Sequence, residues 1–206
     1  MLIKSIVLCI TLISVVQAED RHSETDAVNQ FPHNITVEYN NEQLDLFLTG
    51  LTIRKKFFLK IYSMAHYLEQ KPGVSGLDVS GNKIYSNILH HNNTKQISMV
   101  FLRELTAEQI QKSLISGIKL NTNKEEYLQI LPQVEEFTHA IYENIKQNDE
   151  FILRWFPDGT IVSIFQDEEI SSIKNDKFAR ALWSIWFGNH SIVDRESLIK
   201  KLITNS

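Results

Sequence analysis

The chain has 206 residues, 43% of them hydrophobic, a formal net charge of -4 and a single cysteine. That length suffices for one domain with its own core. The acidic balance, with no basic run longer than Arg54-Lys55-Lys56, argues against a nucleic-acid-binding face.

Lys4 precedes an almost unbroken apolar run, residues 5–16, that closes on Gln17-Ala18. This is the pattern of a secretory signal peptide, residues 1–18, cleaved after Ala18. The run is shorter than the roughly 20 residues of a comfortable membrane span. No later segment is long and apolar enough to cross, so no transmembrane segment is expected after the signal is removed. Cys9 lies inside the run. The mature chain would therefore have no disulfide, no cysteine nucleophile and no cysteine-bound metal. Residues 19–33 are polar and without periodicity and read as a flexible leader, which leaves 34–206 as a single domain.

Residues 35–39 alternate as a strand, Asn40-Asn41 is a turn signal and 44–48 is the return strand. A long strand is expected over 57–68, just after Arg54. Alternation puts Phe57, Leu59, Ile61, Ser63, Ala65 and Tyr67 on one side, and Phe58, Lys60, Tyr62, Met64, His66 and Leu68 on the other. The first set suits packing. The second mixes aromatic, hydroxyl and cationic groups, as a cleft wall would. A loop over 71–81 follows, then a strand over 96–102. Thr106 and Gln109 have the spacing of a capping box, and Asn123 with Glu126 repeats the signal. Pro132 is expected to open a new helix, with Val134, Phe137, Ile141 and Ile145 as its apolar stripe. Residues 151–156 and 160–165 flank Pro157-Asp158-Gly159 as a hairpin. Asp176 is expected to cap a helix over 177–187 that is apolar almost all round and hence deeply buried, stopped by Gly188. Asp194 is expected to cap a last amphipathic helix. Strands, then helices, a hairpin and more helices indicate the α+β class.

Chemistry-bearing signals are few. His90-His91 lacks the spacing of metal ligands, and its surroundings read as a solvated loop. His66 and His139 read as structural imidazoles. There is no nucleophile elbow, phosphate loop or dinucleotide fingerprint, and neither a metal nor a cofactor is expected. Arg54 could hold a carboxylate or another oxyanion. On the residues alone, however, it reads first as a strand-end surface cation, and Tyr62 as a half-buried sheet residue.

Three segments narrow the choice: residues 50–62, GLTIRKKFFLKIY; residues 100–109, VFLRELTAEQ; and residues 178–188, FARALWSIWFG. In this order and spacing the chain resembles the bacterial exported branch of the chalcone isomerase-like family, over about 34–202. The resemblance implies an open-faced β-sandwich, a large antiparallel sheet covered by a helical layer with a cleft between them. In the plant enzymes of the family the cleft closes a flavanone ring, and in fatty-acid-binding relatives an Arg and a Tyr hold the lipid carboxylate. Arg54 matches the family Arg. Tyr62 falls where the plant enzymes place a catalytic Thr. Tyr127 is the nearest candidate for their helical-side Tyr, while Asn121, Asn123 and Asn144 compete for their Asn. The implied function is non-catalytic binding of a small amphipathic ligand such as a fatty acid, with Arg54, Tyr62, Tyr67 and Tyr127 as ligand-binding residues, in an exported protein of the bacterial periplasm. The alternatives are a chalcone isomerase-type lyase acting on a phenolic enone, and an envelope interaction module with a vestigial cleft.

Overall fold

The computed structural model describes residues 30–69, 81 and 83–204. The expected signal peptide, most of the expected leader and nearly all of the 71–81 loop lie outside them. Residues His33–Ser206 form one compact unit.

Seven strands make one antiparallel meander in chain order: β1 (Asn34–Tyr39), β2 (Glu42–Lys56), β3 (Leu59–Glu69), β4 (Lys95–Phe101), β5 (Glu150–Trp155), β6 (Thr160–Phe165) and β7 (Glu168–Lys174). The helices are α1 (Lys83–His90), α2 (Ala107–Asn121), α3 (Lys124–His139), α4 (Asp176–Phe187) and α5 (Lys200–Thr204), the last led by a 3-10 turn, Ser197–Ile199. The class is α+β, a large antiparallel sheet with a helical layer on one face. Helix α4 is the centre of that layer. It packs against α1, α2 and α3, and nine of its residues are buried. That burial follows from apolar side chains all round the helix.

Both capping boxes form, at Thr106 with Gln109 and at Asn123 with Glu126. Elsewhere the structure corrects the sequence expectations. Pro132 does not open a helix but sits inside α3. It and Leu128, whose carbonyl loses its partner there, are exposed, so water can take that acceptor. The helix ends at His139, and Ile141 and Ile145 are buried beyond it, the latter bridging to Leu105. Asn175, not Asp176, caps α4, accepting from the Phe178 amide. Gly188 closes α4 with an ordinary extended φ. Its necessity is spatial, because a Cβ there would lie 2.3 Å from Asn121 Oδ1. His90 ends a helix rather than sitting in a loop.

The largest correction concerns β2 and β3. Strand β2 runs through Gly50 and Arg54 to Lys56, and Phe57-Phe58 form the turn. Two register shifts interrupt the pairing. Leu48 faces Tyr67 but Gly50 faces His66, so Thr49 is an extra residue in β2. Arg54 faces Tyr62 but Lys55 faces Lys60, so Ile61 is an extra residue in β3. Each bulge reverses which face the following side chains take. Simple alternation across 57–68 therefore fails: Leu59 and Tyr62, expected on opposite sides, face the helical layer together.

The first bulge is fixed from three directions. Thr49 Oγ1 lies 2.7 Å from the Leu198 carbonyl, 2.6 Å from His66 Nδ1 and 3.1 Å from the His66 carbonyl. A hydroxyl has one proton. Donation to Leu198 makes His66 Nδ1 the donor to Thr49, which assigns the neutral Nδ1–H tautomer. His66 Nε2 is buried with no partner among the described residues. Burial, reinforced by the nearby Lys95 charge, lowers the His66 pKa to about 3. Lys95 itself is buried and donates to the carbonyls of Ile88 and His91, closing the C-terminal end of α1, with Trp155 beneath its ammonium. Beside the bulge, Gly50 admits the 3-10 turn so closely that a Cβ would lie 2.1 Å from the Ser197 carbonyl oxygen.

Two stability predictions follow from this corner. Gly50→Ala must push the 197–199 backbone away, and a thermal or denaturant melt should register a loss of about 1–3 kcal/mol, the range for overpacking. His66 is neutral when folded but takes a proton near its ordinary pKa, about 6.5, when unfolded. Stability should therefore be flat in this term above that pH and fall below it, down to about 3, by roughly 1.4 kcal/mol per pH unit. Urea titrations of His66→Gln should show that slope reduced between pH 6 and about 4.

Candidate functional site

A cleft of about 600 Å³ opens between the β2–β4 part of the sheet and helices α2 and α4. Its size falls within the roughly 300–1,000 Å³ of small-molecule sites. Tyr62, Met99, Phe101 and Phe151 form the sheet side, and Ile110, Leu114, Ile185 and Trp186 the helical side. Gly117 lets α2 approach α4, since a Cβ there would lie 3.0 Å from Ile185. Charge is confined to a few groups: Arg54, Lys56, Arg103 and Lys112 against the single carboxylate of Glu104. The Lys112 ammonium is also paired with Glu108 one turn back.

Arg54 and Tyr62 stand directly opposite each other across the β2–β3 ladder, so their side chains leave the sheet on the same face. Arg54 is half-buried, and one of its nitrogens donates to the Lys55 carbonyl at 2.6 Å. The guanidinium has further N–H groups, and no other bond from them is found among the described residues. Tyr62 is buried, and its hydroxyl accepts from Trp186 Nε1 at 3.0 Å. Burial pushes the phenol pKa up to about 12, against smaller opposing effects of the Trp186 bond and the Arg54 charge. Tyr62 therefore stays protonated at neutral pH. Because it accepts from Trp186, its own proton is available to a ligand oxygen.

The other two residues expected at the site lie elsewhere. Tyr67 is buried on the opposite face of β3 from Tyr62, beyond the cleft lining. Burial, then the charge of Glu150, raises its pKa. Tyr127 is half-buried on α3 under the Lys119 ammonium and does not line the cleft either. Asn121 bonds the Gly117 carbonyl and the His190 amide, Asn123 caps α3, and Asn144 accepts from the Ala107 amide. Two further lining residues, Trp186 and Arg103, carry no site signal in the sequence. A Trp in a helix that is apolar all round reads as core, and Trp186 is core on every side except its cleft edge. A strand-end Arg103 carries no local signal at all.

A family model described as chalcone isomerase-like matches residues 25–203. The structure is similar to the crystal structure of a fatty-acid binding protein of Arabidopsis thaliana, with a TM-score of 0.66 and 13% sequence identity, over 82% of this chain and 97% of that one. At that identity the likeness is one of fold. Among curated proteins, none matches.

The Trp186–Tyr62 bond sets the position of the phenol. Trp186→Phe removes its donor, and Tyr62→Phe removes its acceptor. A double-mutant cycle by chemical denaturation should give a coupling of about 1 kcal/mol between the two positions.

Proposed function

The chain belongs to the chalcone isomerase-like family, and we propose that it binds a small amphipathic carboxylate, a fatty acid in the first instance, without transforming it. One observation carries this reading: a half-buried guanidinium and a protonated phenol face each other in a cleft whose walls at Met99, Phe101, Ile110 and Leu114 are apolar. The carboxylate would accept from Arg54 in a charge-assisted bond and from the Tyr62 hydroxyl. The tail would lie against Met99, Phe101, Ile110 and Leu114, where removal of apolar surface from water supplies the remaining affinity. The fold likeness to a protein that binds fatty acids supports the same ligand class.

Binding is favoured over isomerisation because the helical-side partners are committed elsewhere. Tyr127 lies outside the cleft lining, and each of the three candidate Asn side chains already holds a backbone group. Tyr62 brings a bulky ring, fixed by Trp186, to the place where a flat bicyclic product would need room. The open volume argues against a vestigial cleft filled by its own side chains. Export to the cell envelope, in a bacterium the periplasm, is the location that the N-terminal pattern and the thiol-free remainder support.

Arg54→Ala should weaken binding of a long-chain fatty acid roughly ten- to hundredfold, the equivalent of one bond to a charged group, in a fluorescence-displacement titration. The fatty alcohol of the same chain length should bind wild type and variant equally. Equal fatty-acid affinity for the two proteins removes Arg54 from the site.

A further inference from the structure

The β2–β3 turn is built against the usual rules for a hairpin tip. Two-residue turns favour Asn, Asp or Gly because a central residue takes a positive φ. Here the positions are Phe57 and Phe58, and Phe57 adopts φ +57. An aromatic residue in that region is strained. Side-chain burial does not repay that strain, since Phe57 is 88% and Phe58 89% exposed. Leu59 follows, also exposed, and Leu120 on α2 is exposed at the lining of the same cleft. The most exposed aromatic side chains of the described residues thus stand side by side next to the cleft mouth.

Cations surround them. Lys55 and Lys56 precede the pair and Lys60 follows, with Arg54 one step further back and Arg103 at the cleft rim. Glu104 is the one carboxylate lining the cleft with them. The whole chain carries -4, so this basic tip is opposite in sign to the protein as a whole. An anionic surface would repel most of the molecule and attract this end first.

We propose that the β2–β3 tip docks on the surface of an anionic lipid bilayer, with Phe57 and Phe58 entering the headgroup–acyl boundary and Lys55, Lys56 and Lys60 resting on lipid phosphates. Aromatic side chains beside cations are the composition of interfacial anchors, and each juxtamembrane cation adds attraction that salt screens. The tip positions the cleft mouth at the membrane. The docking itself does not depend on what the cleft holds. Its use as a loading station for an amphipathic carboxylate does rest on the function proposed above.

The test uses a chain beginning at Glu19, because His33–Ser206 is compact by itself and the apolar residues before Glu19 would bind lipid on their own. Flotation with vesicles of phosphatidylcholine alone, and of an equal mixture of phosphatidylcholine and phosphatidylglycerol, is compared for wild type, Phe57→Ser/Phe58→Ser and Lys55→Gln/Lys60→Gln. Wild type should float with the mixed vesicles and release as salt rises. The double Phe variant should bind at least about tenfold more weakly, as expected for two aromatic side chains left in water. The Lys variant should lose the preference for phosphatidylglycerol. Fatty-acid binding in solution should survive in both variants, so loss of docking and loss of cleft binding are read separately. Two outcomes overturn the proposal: equal flotation of wild type and the Phe variant, or no flotation of wild type. A wild-type dimer in sedimentation that the Phe variant abolishes, without vesicle binding, would assign the tip to self-association instead.

Discussion

The site depends on one extra residue. Before Thr49, the even-numbered residues of β2 pair with Tyr67 and Glu69 and share their face. After it, the even-numbered residues pair with His66, Met64 and Tyr62. Without the bulge, Ile53 would stand opposite Tyr62 and the guanidinium of Arg54 would leave from the far side of the sheet. The bulge persists because its side chain is tied down at Leu198 and His66 and because Gly50 has no Cβ to hold off the 3-10 turn. A polar contact between β2 and the 3-10 turn Ser197–Ile199 thus decides which way a cation points in the cleft.

The second bulge, at Ile61, works on a shorter range. It places Leu59 and Lys56 on the cleft face alongside Tyr62, while Lys55 and Lys60 pair on the other. One hairpin end therefore divides its cations between the cleft and the tip. His66 and Lys95 are buried further along the sheet. His66 stays neutral because burial and Lys95 both resist its protonation. Lys95 keeps two carbonyl acceptors and an aromatic face, although burial, with the Arg180 charge, draws its pKa down to about 7. Such groups add little net stability when fully partnered, but a register in which either loses its partners is costly.

Much of the architecture was legible because local signals there had no competitor. Thr106 and Asn123 each had a cap side chain and a reciprocal partner three residues on, and both boxes formed. Pro157-Asp158-Gly159 gave a turn in which Gly159 takes a positive φ. The helix with apolar residues on every side became the buried centre of the layer. The failures were those of long-range control. Bulges at Thr49 and Ile61 leave no trace in a single strand's pattern, because they are defined by the partner's register. The Ile61 shift moved Leu59 onto the face of Tyr62, while the alternation read for 62–68 held. Tyr67 is the opposite case, legible from the strand itself. Five positions after Tyr62 on an uninterrupted stretch of β3, it must face the other way, so parity alone separated it from Arg54. Pro132 misled for a different reason, since an exposed helix face tolerates a missing amide that a buried one would not.

The arrangement of donors explains why this cleft suits holding better than turnover. Catalysis requires groups that bind a developing charge more strongly than the ground state. In the proposed complex the strongest donor, Arg54, would meet a charge that a carboxylate already carries before any bond changes. Burial keeps the proton on Tyr62, against the smaller opposing effects of the Trp186 bond and the Arg54 charge, and makes it a poor base at neutral pH. A protonated phenol and a fixed cation are complementary to a stable anion, and the apolar walls beyond them are complementary to its tail. A flavanone-forming reaction would ask the same wall to admit a flat ring where the Tyr62 phenol already stands, with no helical-side amide left uncommitted to complete the site.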